Sequence, residues 1–330
     1  MNNKSESNLT SIVSDVTFGY MLPSSSGDGR DLNHNGLNPN YVTGFSDGES
    51  CFFVAFQKSS ECVTGWQVRA GFSLALHQRD KVLLEQIKSY FGVGEIFKQG
   101  KNAYQYKVTS TKDLINVIIP HFLKYPLITQ KHADFELFKQ VVCLINQKNH
   151  LTPEGILQIL SIKAAMNRGL SDTLKAVFPN IKPVTRSVVE FKGISDPFWV
   201  AGFVDAEGCF MIRRLTSSTH KLGICIRLHF TITQHSRDAQ LIEGLVEYFG
   251  CGNYYPSLSL DRVEFRVSKN TEINKILLFF DKYAIQGTKS ADFADFKRAA
   301  ELMRGKAHLT EQGLKELLLI KAGMNKGRAL

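Results

Sequence analysis

Glu49 and Glu207 stand 158 positions apart, near the end of a segment that occurs twice: NPNYVTGFSDGESCF from Asn38 to Phe52 and DPFWVAGFVDAEGCF from Asp196 to Phe210. Two carboxylates at matched places on matched elements suggest one shared, pseudo-symmetric metal site, because hard cations take oxygen ligands. Asp47 and Asp205 also recur, two residues earlier. Two residues along a helix is a rotation of about 200°, so these aspartates cannot share a face with the glutamates and are expected to serve structure at the helix end.

The elements that hold the glutamates are duplicated with them. The same offset carries His77 and Asp80 onto His235 and Asp238, Lys131 and Asp134 onto Lys289 and Asp292, and Met166-Asn167-Arg168-Gly169 onto Met324-Asn325-Lys326-Gly327. One unit is written twice in tandem, and two copies at so long a period speak against a solenoid. Each copy opens on a capping residue followed by proline, Asn38-Pro39 and Asp196-Pro197, which predicts a helix start. Gly44 and Gly202 within these helices, with Gly48 and Ala206 four residues on, predict that the two helices pack backbone against backbone. After each glutamate the apolar period becomes two: Phe52, Val54 and Phe56 point one way, and Cys51, Phe53, Ala55 and Gln57 the other. A second strand, a helix, a Gly-x-Gly turn, two more strands and a helical remainder follow. Each copy therefore reads αββαββα, an α+β unit whose four-stranded antiparallel sheet has one face under helices and one face polar. The expected division is a tail over 1–36, a first domain over 37–180, a linker over 181–194 and a second domain over 195–330.

Among the 330 residues, Lys and Arg outnumber Asp and Glu by 40 to 31, a net charge of +9 that points to a polyanionic partner. A basic, polar sheet face present in two copies is a candidate for docking onto a nucleic acid groove. The six cysteines form no Cys-x-x-Cys pair and have no histidine at finger spacing, which argues against structural zinc or a disulfide frame and fits an intracellular compartment. No run of about eighteen apolar residues is present, so no membrane span is expected. The stretch before residue 37 lacks both the apolar core of a signal peptide and the Arg-rich character of a transit peptide, and it reads as a flexible tail.

VTGFSDGES at 42–50 and VAGFVDAEG at 200–208, inside a full-length repeat, resemble the paired motifs of the single-chain LAGLIDADG homing endonucleases. The segments KYPLITQKHADFELFKQ and AIQGTKSADFADFKRA, and the endings IKAAMNRGL and IKAGMNKGR, are similar to the I-OnuI subgroup of fungal mitochondrial introns. The resemblance covers the chain from about Leu37 onward. It implies two sheets forming a saddle on double-stranded DNA, and a monomeric, mitochondrial, site-specific endonuclease. Such an enzyme would make a metal-dependent staggered double-strand break in a long target to start intron homing.

Carried over to these positions, the resemblance makes Glu49 and Glu207 the metal-binding carboxylates, with the carbonyls of Gly48 and Ala206 as further ligands. The implied cofactor is Mg²⁺, with Ca²⁺ occupying the site without supporting cleavage. Mg²⁺ keeps waters and substrate phosphate in its shell, and paired metals assist both attack and departure at phosphorus. Two adjacent carboxylates repel each other without a cation, so binding is expected to be coupled to metal. Lys131 and Lys289 are candidates for stabilising the pentavalent phosphate as point charges, although each equally suits an ordinary backbone-phosphate contact. Gln234 is a further candidate, with Leu76 at its counterpart position.

The outward strand residues are expected to meet DNA in the major groove: Gln57, Gln67, Arg69, Ser73, Gln105 and Lys107 in the first copy, and Arg213, Arg227, His229, Thr231, Arg266 and Ser268 in the second. The two outward faces differ in sequence, which implies an asymmetric target. Ser50 stands where the second copy has Gly208, so the exit from helix to strand is expected to differ there. The alternative reading is an RNA maturase that binds its host intron RNA, with cleavage secondary or lost. Retention of both glutamates favours the nuclease.

Overall fold

The computed structural model describes residues 36–328, so all but Gly36 of the expected N-terminal tail lies outside the described residues. Helix α1 (Pro39–Glu49) starts where the Asn38 side chain accepts the Asn40 amide at 2.8 Å. Its counterpart, α6 (Pro197–Glu207), starts where Asp196 accepts the Phe198 amide, also at 2.8 Å. The first repeat continues through β1 (Ser50–Lys58), β2 (Trp66–His77), α2 (Lys81–Phe91), β3 (Glu95–Gln99), β4 (Ala103–Val108), α3 (Ile119–Lys124), α4 (Lys131–Asn146) and α5 (Pro153–Ala165). The second runs through β5 (Gly208–Thr216), β6 (Ile224–His235), α7 (Ala239–Phe249), β7 (Asn253–Ser257), β8 (Arg262–Val267), α8 (Asn270–Lys282), α9 (Lys289–Arg304) and α10 (Glu311–Ala322). The sheets have matching antiparallel orders, β1-β2-β4-β3 and β5-β6-β8-β7, as the α+β reading requires.

Each repeat has its own core. In the first, the Phe52 ring lies 5.3 Å from each of Phe72, Phe122, Phe135 and Phe138. In the second, Phe210 meets Phe230, Phe280, Phe293 and Phe296 at 5.0–5.7 Å. The inward alternation of β2 is borne out, with Val68, Ala70, Phe72 and Leu74 all buried.

The repeat slips once. From β3 to β4 the second copy carries one residue more, and between β4 and α4 it carries one fewer. A π-turn at Leu114–Ile118 takes up the extra residue of the first copy, as a single wide helical turn can. Residues 178–196 form neither helix nor strand, yet this segment is held in place. Val184 donates to the Ser161 carbonyl at 3.1 Å, and Gln130 exchanges two hydrogen bonds with the Val189 backbone at 2.8 and 3.3 Å. No described helix is long and apolar enough to cross a membrane.

Candidate active site

Helices α1 and α6 meet at the seam between the repeats. A Cβ added to Gly44 would lie 1.9 Å from the Trp199 carbonyl oxygen, and one added to Gly202 would lie 2.0 Å from that of Tyr41. Only hydrogen fits at either crossing point, so the expected close contact is borne out. A bond crosses in each direction along this contact. Trp199 Nε1 donates to Asp47 Oδ2 at 2.8 Å, and the Tyr41 hydroxyl donates to Asp205. Tyr41 and Trp199 are themselves repeat equivalents, so each motif's aspartate receives the other motif's aromatic donor.

Asp47 further accepts from the Ile128 and Thr129 amides at 3.0 and 3.3 Å and from the Thr129 hydroxyl at 2.6 Å. Asp205 accepts from the Gln286 and Gly287 amides at 3.1 and 2.6 Å. Burial pushes both carboxyls above the usual aspartate range, against these donors. Their lone pairs are occupied by structure, in keeping with the expected role at the helix end.

With the helices fixed this way, Glu49 and Glu207 emerge side by side. A Gly48 Cβ would lie 3.5 Å from Glu207 Oε1, so the Glu207 carboxylate rests over the last turn of the opposite helix. Burial raises the Glu49 pKa above the usual carboxylate range, and the Glu207 charge adds to it.

Lys131 and Lys289 arrive from the first turns of α4 and α9. Lys131 Nζ donates to the carbonyls of Ser46, Gly48 and Ser50 at 2.9, 3.0 and 2.6 Å; Lys289 Nζ donates to those of Val204 and Ala206 at 3.0 and 3.1 Å. The Gly48 and Ala206 carbonyls lie in the last turns of their helices, where a cation also suits the helix dipole, whereas those of Ser46 and Val204 already accept the Ser50 and Gly208 amides. Burial lowers both lysine pKa values, opposed by Asp47 and Glu207 at Lys131 and by Asp205 and Glu207 at Lys289. The Gly48 and Ala206 carbonyls allotted to a metal thus already hold a positive group, and each oxygen keeps a second lone pair. Among the described residues no three His, Cys, Asp or Glu side chains converge on a metal position; the oxygens gathered at this helix end are the two glutamate carboxylates and the backbone carbonyls beside them. That set fits a hard cation that completes its shell with water and phosphate.

The helix exits do not differ as expected. Ser50 (φ −82°, ψ 161°) and Gly208 (φ −74°, ψ 156°) share one conformation. The difference lies four residues back: a Gly208 Cβ would meet Val204 Cγ1 at 2.6 Å, whereas in the first copy the Ser50 hydroxyl donates to the Ser46 carbonyl at 2.6 Å.

The expected reading residues divide by exposure. Gln57, Arg69, Arg213 and Arg227 are exposed, and Gln67, Gln105, Lys107 and Arg266 are half-buried. Ser73, His229 and Thr231 are on the outer face by parity yet buried, a correction to their expected availability. Ser73 is paired with Lys107 and Thr231 with Arg266, and these long side chains shade the short ones. Burial pushes the His229 pKa down, and the charges of Arg213, Arg266 and Arg227 add to it. Arg266 is itself engaged, 2.5 Å from Glu264 and over the Tyr255 ring at 4.6 Å, while Lys107 lies over Phe53 at 4.8 Å. Ser268 falls one residue beyond β8. Gln234, paired with Val263, has the parity of the inward residues, at the strand end where its counterpart Leu76 borders the cavity beside Glu49.

Sequence reasoning missed the clamps that close the seam. Asp80 accepts the Thr288 amide and hydroxyl at 2.9 and 2.7 Å, and its counterpart Asp238 accepts the Gln130 amide at 2.7 Å. The only signal was that Asp80 and Asp238 recur at the repeat offset.

Comparison with known proteins agrees with this geometry. A family model described as LAGLIDADG endonuclease matches residues 42–142 and 200–300. "Probable intron-encoded endonuclease 2" of Neurospora crassa is 41% identical over 299 residues, covering 87% of this chain and 65% of that protein. "Probable intron-encoded endonuclease 3" of the same fungus is 41% identical over 288 residues, covering 86% and 54% respectively. The chain therefore spans between half and two thirds of the length of these curated relatives. Among solved structures, the I-SmaMI LAGLIDADG homing endonuclease bound to cleaved DNA superposes with a TM-score of 0.87 at 42% identity, over 90% of this chain and 99% of that one. I-SmaMI bound to an uncleaved DNA target in the presence of calcium ions gives 0.86 at 42% identity, over 88% and 100%.

Proposed function

Because the chain belongs to the LAGLIDADG endonuclease family, we propose that it is a site-specific endonuclease that makes a staggered double-strand break in a long, asymmetric DNA target and so initiates homing of its intron. The observation that carries this reading is the meeting of Glu49 and Glu207 across the α1–α6 contact, between two like sheets whose outer faces differ in sequence. One chain supplies both motif helices, so the active form is a monomer. The assignment of 37–180 and 195–330 as two domains joined by 181–194 belongs to the same proposal, as does a mitochondrial location, which rests on the intron-encoded fungal relatives.

Glu49, Glu207 and the carbonyls of Gly48 and Ala206 would hold the divalent cation, which we assign as Mg²⁺. When bound it supplies an activated water and neutralises charge developing on the phosphate. The protein's own contribution is positional. Asp47 and Asp205 lock the helix ends, Lys131 and Lys289 hold the last carbonyls and add positive charge, and Arg69, Arg213 and Arg227 stand exposed on the faces that would meet the groove.

The test is cleavage of a duplex carrying the uninterrupted allele, with Mg²⁺, by the wild type and by Glu49→Gln and Glu207→Gln. Each substitution is expected to slow cleavage on the order of a hundredfold or more while leaving binding in Ca²⁺ nearly intact. Tight binding without cutting by the wild type, together with faster splicing of the intron RNA, would replace the nuclease with the maturase.

A further inference from the structure

A cavity of about 910 Å³ opens beside Glu49, and its walls come from both repeats. The first repeat supplies Glu49 and Arg79; the second supplies Lys289, Lys321 and Lys326. Arg79 bridges the seam. Its Nη1 donates to the Asn325 carbonyl at 3.4 Å, and its Nε lies 3.6 Å from Asp80, the carboxylate that clamps Thr288.

The cavity also contains Asp80, Asp205 and Asp292, but these anions are already committed. Asp80 holds Thr288, Asp205 holds Tyr41 and two amides, and Asp292 holds the Asn325 amide and Arg328. Lys321 and Lys326 are exposed and carry no ion pair among the described residues. The unspent charge of the cleft is therefore positive, and Glu49 sits within it.

The repeat offset places Arg237, Lys131, Lys163 and Arg168 in the same relation to Glu207. Two contacts match: Arg237 Nε lies 3.6 Å from Asp238 as Arg79 Nε does from Asp80, and Asp238 clamps Gln130 as Asp80 clamps Thr288. In the cleft beside Glu49 the arginine comes from one repeat and the lysines from the other, and the repeat extends the same division to the residues around Glu207.

Resting on the nuclease reading, in which the two sites cut opposite strands, we propose that Arg79 and Arg237 are positioning residues that reach across the seam, Arg79 to complete the cleft beside Glu49 and Arg237 its counterpart beside Glu207, and that each seats a backbone phosphate of the strand cut there. Arginine suits this task because its planar fork can hold a carbonyl and a phosphate oxygen together.

The prediction separates sequence equivalence from spatial grouping. A target selected from a randomised duplex library in Ca²⁺, cloned into a supercoiled plasmid and cut in Mg²⁺, gives each strand's rate. Arg79→Gln and Lys326→Gln, from different repeats, should slow the same strand by about tenfold and accumulate nicked circles, while Arg237→Gln should slow the other strand. Arg79→Lys should recover most of the loss. Each Gln variant should also reduce the slope of log affinity against log salt by about one, a change that a purely structural role would not produce. Equal slowing of both strands by Arg79→Gln, or Arg79 and Lys326 acting on opposite strands, overturns the assignment. If the wild type binds but never cuts, the nuclease reading fails separately, and an unchanged salt slope in Arg79→Gln then overturns the clefts.

Discussion

His121 shows how one side chain can be fixed by its contacts alone. The Thr43 hydroxyl donates to the Tyr125 carbonyl at 3.1 Å, so its oxygen is left to accept from His121 Nε2 at 3.1 Å; Nδ1 then accepts from the Tyr90 hydroxyl at 3.2 Å. The neutral ring is satisfied at both nitrogens, and burial pushes its pKa down to about 3. A folded value below the unfolded one means the unfolded chain takes the proton first. Stability from this residue is complete above the ordinary histidine value of 6.5 and is lost as pH falls from there towards about 3. The slope expected from the residue approaches about 1.4 kcal/mol per pH unit within that window. His121→Gln should flatten it, which denaturant midpoints at pH 4 and pH 7 will read; an unchanged difference between the two midpoints would count against it. The sequence carried no sign of this triad, because the second copy replaces it with Ala201, Phe279 and Tyr248. A bond present in only one copy leaves no mark in a repeat.

At the scale of elements, the contact between α1 and α6 decides where the carboxylates meet. The glycines were legible as small residues at matched places, but the size of the gap was not. Gly44→Ala and Gly202→Ala press a methyl group against backbone, which a side-chain rotation cannot relieve. Each should cost about 1–3 kcal/mol or more in equilibrium unfolding, and the double substitution more than either. If both variants unfold at wild-type denaturant concentrations, the helices do not cross at these residues. The sheet faces teach a related lesson. Parity assigned the outward side correctly, yet Ser73 and Thr231 are shaded by longer cross-strand neighbours, since exposure depends on what stands beside a residue as well as on which way it points.

At the scale of the molecule, the crossed bonds make each repeat depend on the other. Asp47–Trp199, Tyr41–Asp205, Asp80–Thr288 and Gln130–Asp238 all join residues of different repeats. The connecting segment takes part as well. Arg186 holds Asp134 and the Gln130 carbonyl in the first repeat, where the second uses its own Arg328 on Asp292. Asp134 is buried, so removing its arginine leaves a charge short of a partner. Arg186→Met is expected to destabilise the whole protein by about 3–5 kcal/mol. Both repeats should still melt in one calorimetric transition, whereas two resolved transitions would mean that they fold independently.

The sequence by itself determined the duplication, the order of helices and strands, the inward and outward parity, and the two glutamates on matched helix ends. These follow from periodicity, capping residues and spacing, which act over a few neighbours or recur at a constant offset. Only the tertiary structure decided that the lysines grip the very carbonyls allotted to a metal, that Ser50 and Gly208 leave their helices alike, and that the basic cleft beside Glu49 draws its arginine from one repeat and its lysines from the other. Those outcomes depend on pairs 81 or more residues apart or on the volume of a single neighbouring side chain, and neither leaves a local signal along the chain.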